Sequence, residues 1–392
     1  MLIRPYLIAH RLIPQLTWGG TYIASHKKIE DESVKSMMIG QSYELTGTSS
    51  LSSVERSGKL PVEIADSKLG DVVEVVGDRS SLFSLPSLID QDPEHVLGKK
   101  VSSAHKKMPL LIKFTQAKGN SFQVHVHPGA EFNHWKPKPE SWYFFEKGKV
   151  TLGLKKPLNV EAYKKVCKEI EMKANELASS VKGKGLSISE ARKELASFIT
   201  QYSPYQYVNE LTVDAGTIVD LSAGGIHHSW EEGAEIQNGN IVYEVQVDVM
   251  DNECTLRSFD KGKIGDDGSL RPIHINEYFQ ALDIDEVHND PMMYMKKSIV
   301  VPSDGIEKIP LFETLHYSAC EFSFAKEYTG SECTTDAQQS FHHLFVKRGD
   351  ISIQAGSTTL FVGQGNSVFI PACTGAYTLR TDTTAQVIKT WM

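Results

Sequence analysis

Short apolar runs separated by glycines dominate the chain from Pro109 to about residue 250. They read PLLIKFTQAKG, NSFQVHVHPG, SWYFFEKGKVTLGL, LTVDAGTIVDLSAGG and IVYEVQVDVM. Runs of this length that are rich in β-branched and aromatic residues are typical of strands, and the glycines indicate turns between them. Many short strands with glycine turns predict a β-sandwich or a β-barrel.

One segment interrupts this pattern. Residues 158–203 are rich in Ala, Glu, Lys and Leu, and their apolar residues recur at helical spacing, as in Val166, Ile170 and Ala174. We predict two helices with a break at VKGKG, the second capped by Ser187 or Ser189. The segment is therefore a helical insertion between two strands, and its many charges are typical of a solvated helical hairpin.

A second β-rich unit begins after about residue 290 and repeats the rhythm of the first. Its stretch SVFIPACTG resembles IVDLSAGGI of the first unit in its position and in its sequence pattern, an apolar run followed by small residues. We infer an internal duplication of a β-barrel. The predicted division is an N-terminal segment at 1–108 that contributes strands to the first barrel, a catalytic domain at 109–289 that contains the insertion 158–203, and a degenerate C-terminal domain at 290–392.

Composition narrows the range of functions. A length of 392 residues suggests two to three domains. The net charge of −8 argues against binding to a nucleic-acid backbone, which requires a basic surface. No apolar run reaches the roughly 20 residues that span a bilayer, and the five cysteines are scattered. These features predict a cytoplasmic protein that binds neither nucleic acid nor a membrane.

The histidines carry the candidate chemistry. His125 and His127 are two positions apart on a predicted strand, so their side chains share one face and could bind one metal ion such as zinc. A third ligand is expected from the corner SAGGIHH, where the spacing favours His227 over His228, because neighbouring strand residues face opposite ways. For the carboxylate ligand we favour Glu140, on a predicted strand, over Glu131 in a loop.

The spacings of these ligands resemble the paired motifs of the cupin superfamily, which implies a mainly β fold of duplicated jelly-roll barrels. In the second unit Pro371 fits the corner, but Ala372, Cys373 and Thr374 follow it in place of a histidine. His342 and His343 have no obvious partners in the sequence. We therefore expect this copy to be structural and free of metal.

Further motifs extend the resemblance through much of the chain. They are LTWGG with Trp18, QSYELTG with Glu44, PLLIKF with Lys113, VHVHP, KPESWYFF, SAGGIHHSW, the strand that carries Arg257, and LRPIHI with Arg271 and His274. Together these motifs resemble the zinc-dependent, cupin-type mannose-6-phosphate isomerase family. The resemblance implies interconversion of mannose 6-phosphate and fructose 6-phosphate through a cis-enediol, with one Zn²⁺ per chain, or Fe²⁺ or another divalent metal in its place.

The resemblance also suggests roles for individual residues. Lys113 is the candidate base, because a partly buried lysine near a cation can have a lowered pKa. Arg257 is the candidate for stabilising the enediolate or binding phosphate. The substrate-binding candidates are Trp18, Ser49 and Arg56, although Trp18 also suits a core position and the serine-rich loop suits an ordinary turn.

Two questions stay open at this level. The family usually has Gln or Lys at the place of His125, so His125 is either a ligand or a base next to the metal. Another cupin enzyme, such as a dioxygenase or a sugar epimerase, and a non-catalytic sugar-binding cupin are the competing functions, because three histidines and a glutamate also suit iron. The sequence does not fix the oligomeric state.

Overall fold

The computed structural model of the protein describes residues 4–66, 70–130, 132–303, 306–325 and 330–392. It is mainly β, as the sequence predicts. The strands of the N-terminal segment are β1 Tyr6–Ile8, β2 His10–Pro14, β3 Ile39–Leu45, β4 Ser50–Ser52, β5 Val62–Ala65, β6 Val72–Val76 and β7 Leu82–Ser84. Its helices are α1 Tyr22–His26, α2 Glu32–Lys35, α3 Leu85–Gln91, α4 Pro93–Leu97 and α5 Lys99–Ala104.

The middle of the chain consists of strands, two short helices and the helical insertion, which lies between the strands Gly148–Leu154 and Val208–Val213. Its strands are β8 Leu110–Ala117, β9 Phe122–Val124, β10 Glu140–Phe144, β11 Gly148–Leu154, β12 Val208–Val213, β13 Thr217–Asp220, β14 His228–Trp230, β15 Asn240–Val247 and β16 Leu256–Phe259. Its helices are α6 Val160–Lys182, α7 Ile188–Tyr202, α8 Asp251–Cys254 and α9 Ile275–Ala281. No described helix is long and apolar enough to cross a membrane.

The remainder of the chain is built from strands. They are β17 Met295–Lys297, β18 Val301–Ser303, β19 Ile306–Glu313, β20 Ser318–Phe324, β21 Ser331–Thr334, β22 His342–Arg348, β23 Ile351–Ala355, β24 Thr358–Val362, β25 Ser367–Ile370, β26 Ala376–Arg380 and β27 Ala385–Trp391.

Strand pairing joins the three predicted segments. One nine-stranded sheet has the order β17-β13-β10-β15-β8-β3-β2-β5-β6, and a separate five-stranded sheet has the order β12-β11-β14-β9-β16. A second nine-stranded sheet has the order β18-β19-β20-β27-β22-β25-β1-β4-β7, and a separate four-stranded sheet has the order β21-β26-β23-β24. Within the described ranges none of these sheets closes on itself, so the predicted pair of closed barrels is not confirmed.

The N-terminal segment contributes to both large sheets. β2, β3, β5 and β6 extend the sheet that contains β8, whereas β1, β4 and β7 extend the sheet that contains β25. In the reverse direction, β17 lies beyond residue 290 yet pairs with β13. The largest buried apolar cluster contains residues of both sheets, including Phe114 and Phe345, whose rings are 5.5 Å apart. The two β-rich units therefore share a core.

The insertion consists of α6 and α7, with the break at Gly183–Gly185. The apolar face of α6, which includes Tyr163, Ile170 and Leu177, packs on β16 and α9. The N-terminus of α7 is held by a capping box: Ser187 Oγ accepts from the Glu190 N–H at 3.2 Å, and the Glu190 carboxylate accepts from the Ser187 N–H at 3.1 Å. One face of this helical hairpin is thus packed against the rest of the molecule.

We expect Ser187→Ala to lower the free energy of unfolding by about 1 kcal/mol, because the substitution leaves the backbone N–H of Glu190 without its acceptor. The measurement is urea-induced unfolding followed by circular dichroism. Ser189→Ala, within the same first turn but outside the capping box, is the matched control and should change stability by less than about 0.5 kcal/mol. Equal losses in the two variants would contradict the assignment of Ser187 as the cap.

A buried histidine at the contact between the two units predicts acid sensitivity. His343 on β22 is fully buried with Nδ1 3.3 Å from the Tyr243 hydroxyl, and burial lowers its pKa from 6.5 to about 3. Between these two pKa values the unfolded chain binds more protons than the folded chain, so stability falls as the pH is lowered through this window.

His343→Gln removes this titration while keeping a polar side chain. We expect urea unfolding of the variant to lose less stability between pH 6 and pH 4 than wild type does, by up to about 1.4 kcal/mol per pH unit. His95→Gln is the control, because the His95 side chain is 56% exposed on α4. Parallel pH profiles for wild type and His343→Gln would contradict the prediction.

Candidate metal centre

Three buried side chains from separate parts of the chain converge between the nine-stranded sheet that contains β10 and the five-stranded sheet that contains β14. His125 Nε2 lies 3.4 Å and His228 Nε2 lies 3.0 Å from Oε1 of Glu140. One candidate ligand atom from each residue lies within 4.8 Å of the other two, and each side chain is at most 2% exposed. We call this group the His–Glu–His cluster.

Strand pairing produces the convergence. Glu140 is the first residue of β10, and His228 is the first residue of β14 and pairs with Gln123 of β9. His125 follows β9 directly, and its Nδ1 lies 2.6 Å from the carbonyl oxygen of Cys254. Because a carbonyl oxygen only accepts, Nδ1 carries the proton, and the Nε2 lone pair points to the cluster.

The two Nε2 atoms are the observation that suits a metal ion. Both are fully buried, and neither makes a hydrogen bond of acceptable geometry. An unsatisfied buried polar atom is costly, so two of them beside one carboxylate call for an explanation. Two imidazole nitrogens and a carboxylate oxygen are a donor set that zinc and similar divalent ions bind. The residues present therefore fit a divalent metal.

Charges of alternating sign surround the cluster. Lys138 Nζ lies 2.7 Å from Glu140 Oε2 and 3.9 Å from Glu244, whose carboxylate also accepts from Lys113 at 3.0 Å. Burial alone would raise the pKa of Glu140, but Lys138 and His125 hold it well below its usual range. Burial alone would likewise lower the pKa of Lys138, and the two glutamates raise it instead. The carboxylate of Glu140 is thus kept in its ionised form.

Two further polar residues of the five-stranded sheet, Gln123 and Arg257, lie on the face of that sheet that carries His228. Gln123 pairs with His228 on one side and with Arg257 of β16 on the other, and residues paired across strands share a face. Arg257 is 5% exposed, forms an ion pair with Asp251, and has no hydrogen bond at Nε. Burial alone would raise the pKa of Asp251, but Arg257 lowers it strongly.

Gln123 was missed by the sequence analysis. The signal was present, because Gln123 precedes His125 by two residues on a strand. Sequence reasoning treated His127 as the main histidine of the motif. That choice moved the expected pair of residues on this strand two positions along the chain, from Gln123 and His125 to His125 and His127. In the structure Gln123 pairs with His228, and His125, directly after β9, brings its Nε2 to within 3.4 Å of Glu140.

The structure places His127 and His227 outside the cluster. β9 ends at Val124, so the strand alternation that predicted a shared face no longer applies at His127. Its Nδ1 donates to the carbonyl oxygen of Ala223 at 2.9 Å, and its side chain is 48% exposed. His227 is fully buried on the opposite face, edge-on to Phe122 at 4.6 Å, and burial lowers its pKa well below 6.5. His228, the neighbour that the spacing disfavoured, faces Glu140.

The other predicted residues separate into two groups. Lys113, Glu140 and Arg257 lie at or beside the cluster, as described above. Trp18 packs against the apolar group around Trp142, and Ser49 Oγ accepts from the Thr46 N–H at 2.9 Å within a turn. Arg56 stacks on Phe361 of β24 at 4.2 Å. Glu131, the alternative carboxylate, lies outside the described residues.

Comparison with known proteins gives the fold. No protein-family sequence profile and no curated protein sequence matches this chain. Solved structures do match: the mannose 6-phosphate isomerase from Bacillus subtilis has a TM-score of 0.65 at 15% identity, with 99% of both chains covered. A zinc-bound mannose 6-phosphate isomerase and a variant of the phosphomannose isomerase from Salmonella typhimurium each give 0.64 at 12% identity with the same coverage. The chain has the fold of these enzymes over nearly its whole length.

Proposed function

We propose that this protein is a metal-dependent sugar-phosphate isomerase that interconverts mannose 6-phosphate and fructose 6-phosphate. The observation that carries the proposal is the His–Glu–His cluster, in which the two Nε2 atoms make no hydrogen bond, inside a chain that shares its fold with mannose 6-phosphate isomerases over 99% of its length. One of those enzymes is described as zinc-bound.

The proposed ligands are His125, Glu140 and His228. We propose the side-chain oxygen of Gln123 as a fourth donor, because Gln123 pairs with His228 and its amide nitrogen is engaged by Ser121 Oγ at 2.9 Å. A bound divalent ion would act as a Lewis acid toward the carbonyl and hydroxyl oxygens of the sugar. The hydrogen bond from His125 Nδ1 to Cys254 fixes the ring so that Nε2 stays available. In this proposal His125 is a ligand rather than a base next to the metal.

Proton transfer is assigned to Glu244 and Lys113. Isomerisation removes a proton from one carbon of the sugar and returns it to the neighbouring carbon through a cis-enediol. Oε2 of Glu244 is buried and makes no hydrogen bond, while Oε1 accepts from Lys113 at 3.0 Å. Glu244 can therefore accept a proton at Oε2, and Lys113 orients the carboxylate. This proposal replaces the expectation that Lys113 is the base: Glu244 takes the proton, and Lys113 positions Glu244.

Arg257 is assigned to the anionic oxygens of the substrate or of the enediolate. Its guanidinium lies on the face shared by Gln123 and His228, and a planar guanidinium pairs well with carboxylate-like or phosphate oxygens. Asp251 holds the side chain from one side and leaves Nε without a partner. The proposed site does not include Trp18, Ser49 or Arg56, because each of them makes its contacts elsewhere.

We expect the purified protein to contain close to one divalent metal ion per chain and to convert mannose 6-phosphate to fructose 6-phosphate. His228→Ala should lose most of the metal and at least about 100-fold in kcat/KM, because it removes one of three strong donors. The measurements are elemental analysis and a coupled assay of fructose 6-phosphate formation.

His127→Ala is the matched control, because this histidine belongs to the same motif but is half exposed and outside the cluster. It should keep both metal and activity. Metal loss in His127→Ala with retention in His228→Ala would overturn the ligand set, and a metal-loaded enzyme with no isomerase activity would overturn the proposed reaction.

We expect Glu244→Gln to lower kcat by about 10²- to 10⁴-fold with little change in metal content, since an amide accepts the hydrogen bond of Lys113 but cannot accept the carbon-bound proton. Incorporation of solvent deuterium into recovered substrate and product reports the transfer directly. Unchanged deuterium incorporation in the variant would show that another group takes the proton.

A further inference from the structure

A separate cavity of about 300 Å³ lies between the helical insertion and the end of β16. One wall is α6, and the other wall is formed by Ser258 and Phe259 with the loop that runs from Asp260 to Ile273. A volume of this size is at the lower end of the range for small-molecule sites. The cavity contains none of the residues of the His–Glu–His cluster.

β16 separates the cavity from the candidate metal centre. The pairing register of β16 with β9 shifts between Arg257 and Phe259, so that Phe259 pairs with Phe122 rather than continuing the alternation. Phe259 therefore faces away from Arg257, and the Ser258 hydroxyl lies 3.3 Å from that of Tyr163 on α6. The same short strand presents Arg257 to one site and lines the cavity on its other side.

Polar contacts hold the loop wall in place. Arg192 of α7 donates to the carbonyl oxygen of Ile264 at 2.6 and 3.0 Å and pairs with Asp266 at 2.9 Å. Gly268 sits so close to α6 that an added Cβ would lie 2.9 Å from the carbonyl oxygen of Ala178. The cavity is thus formed by the fold itself and requires both helices of the insertion.

Two cations and a buried carboxylate line the cavity. Asp260 is 7% exposed, and its Oδ1 lies 3.4 Å from Arg271 Nη1 without making a hydrogen bond. Lys263 Nζ donates one hydrogen bond, to the carbonyl oxygen of Gly119 at 3.0 Å, and keeps two further N–H donors. Burial lowers the pKa of Lys263 to about 8. The loop wall therefore carries two cations and one carboxylate, while Glu171 of α6 is a second carboxylate on the opposite wall.

The helix wall is mixed in character. Ile170 and Ala174 of α6 supply apolar surface, while Asn175 and Glu171 supply polar groups. Burial raises the pKa of Glu171 from its ordinary value, and the charge of Lys168 opposes this shift. A ligand with a non-polar face, hydroxyl groups and one anionic group would match this lining.

We propose that this cavity binds a small hydroxylated phosphate ester, with the phosphate on Lys263 and Arg271 and a hydroxyl donating to Asp260. A guanidinium and an ammonium are the side chains that bind phosphate oxygens best, and Asp260 Oδ1, which makes no hydrogen bond, is an acceptor that suits a sugar hydroxyl. This assigns a role to the helical insertion, which forms one wall of the site.

The test is equilibrium dialysis with radiolabelled glucose 6-phosphate at millimolar concentration. We expect wild type to bind two equivalents, one at the candidate metal centre and one in the cavity. The double substitution Lys263→Met with Arg271→Met should weaken the cavity equivalent about tenfold or more. Ala174→Phe should abolish it by filling the space. Lys165→Met, an exposed position on the same helix, is the control and should bind as wild type does.

The two cavity variants act by different means, charge and volume, so either one that keeps the wild-type thermal unfolding temperature decides the question. A single equivalent that is lost in Ala174→Phe but kept in His228→Ala would support the cavity while counting against the proposed isomerase site. Unchanged binding in a folded cavity variant, or no binding by wild type, would overturn the proposal.

Discussion

Two buried imidazole nitrogens that face one carboxylate oxygen without hydrogen bonds are costly unless a further cation lies between them. His125 and His228 direct their Nε2 atoms at Glu140 without hydrogen-bond geometry, while Lys138 holds the other carboxylate oxygen. The protein surrounds this arrangement with two sheets and fixes one ring through a backbone carbonyl. A metal ion at the cluster would remove the cost, and the proposed chemistry depends on that ion.

The two β-rich units share one buried core. The N-terminal strands divide between both large sheets, so neither unit is complete without them. The C-terminal unit contributes buried surface, such as Phe345 against Phe114, behind the sheet that carries Glu140 and Glu244. Its contribution to the site is therefore to support the strands that position the ligands.

Much of the fold could be predicted from the sequence because strand and helix periodicities are local. The glycine-bounded strands, the helices of the insertion and a cap at Ser187 or Ser189 follow from patterns within a few residues. The ligands depend on parity, and a shift by one residue reverses the face. His228 begins β14 and faces Glu140, whereas β9 ends at Val124 and releases His127 from the alternation. Where a strand begins or ends is decided by pairing with distant segments, which the local pattern does not contain.

The most direct test of the central claim is anomalous X-ray diffraction from crystals of the protein as purified, collected at the absorption edge of the metal that elemental analysis detects. The account predicts one strong anomalous peak at bonding distance from the Nε2 atoms of His125 and His228 and from the carboxylate of Glu140. A peak placed instead on His127 or His227, or a metal-replete protein with no peak among these three residues, would contradict it.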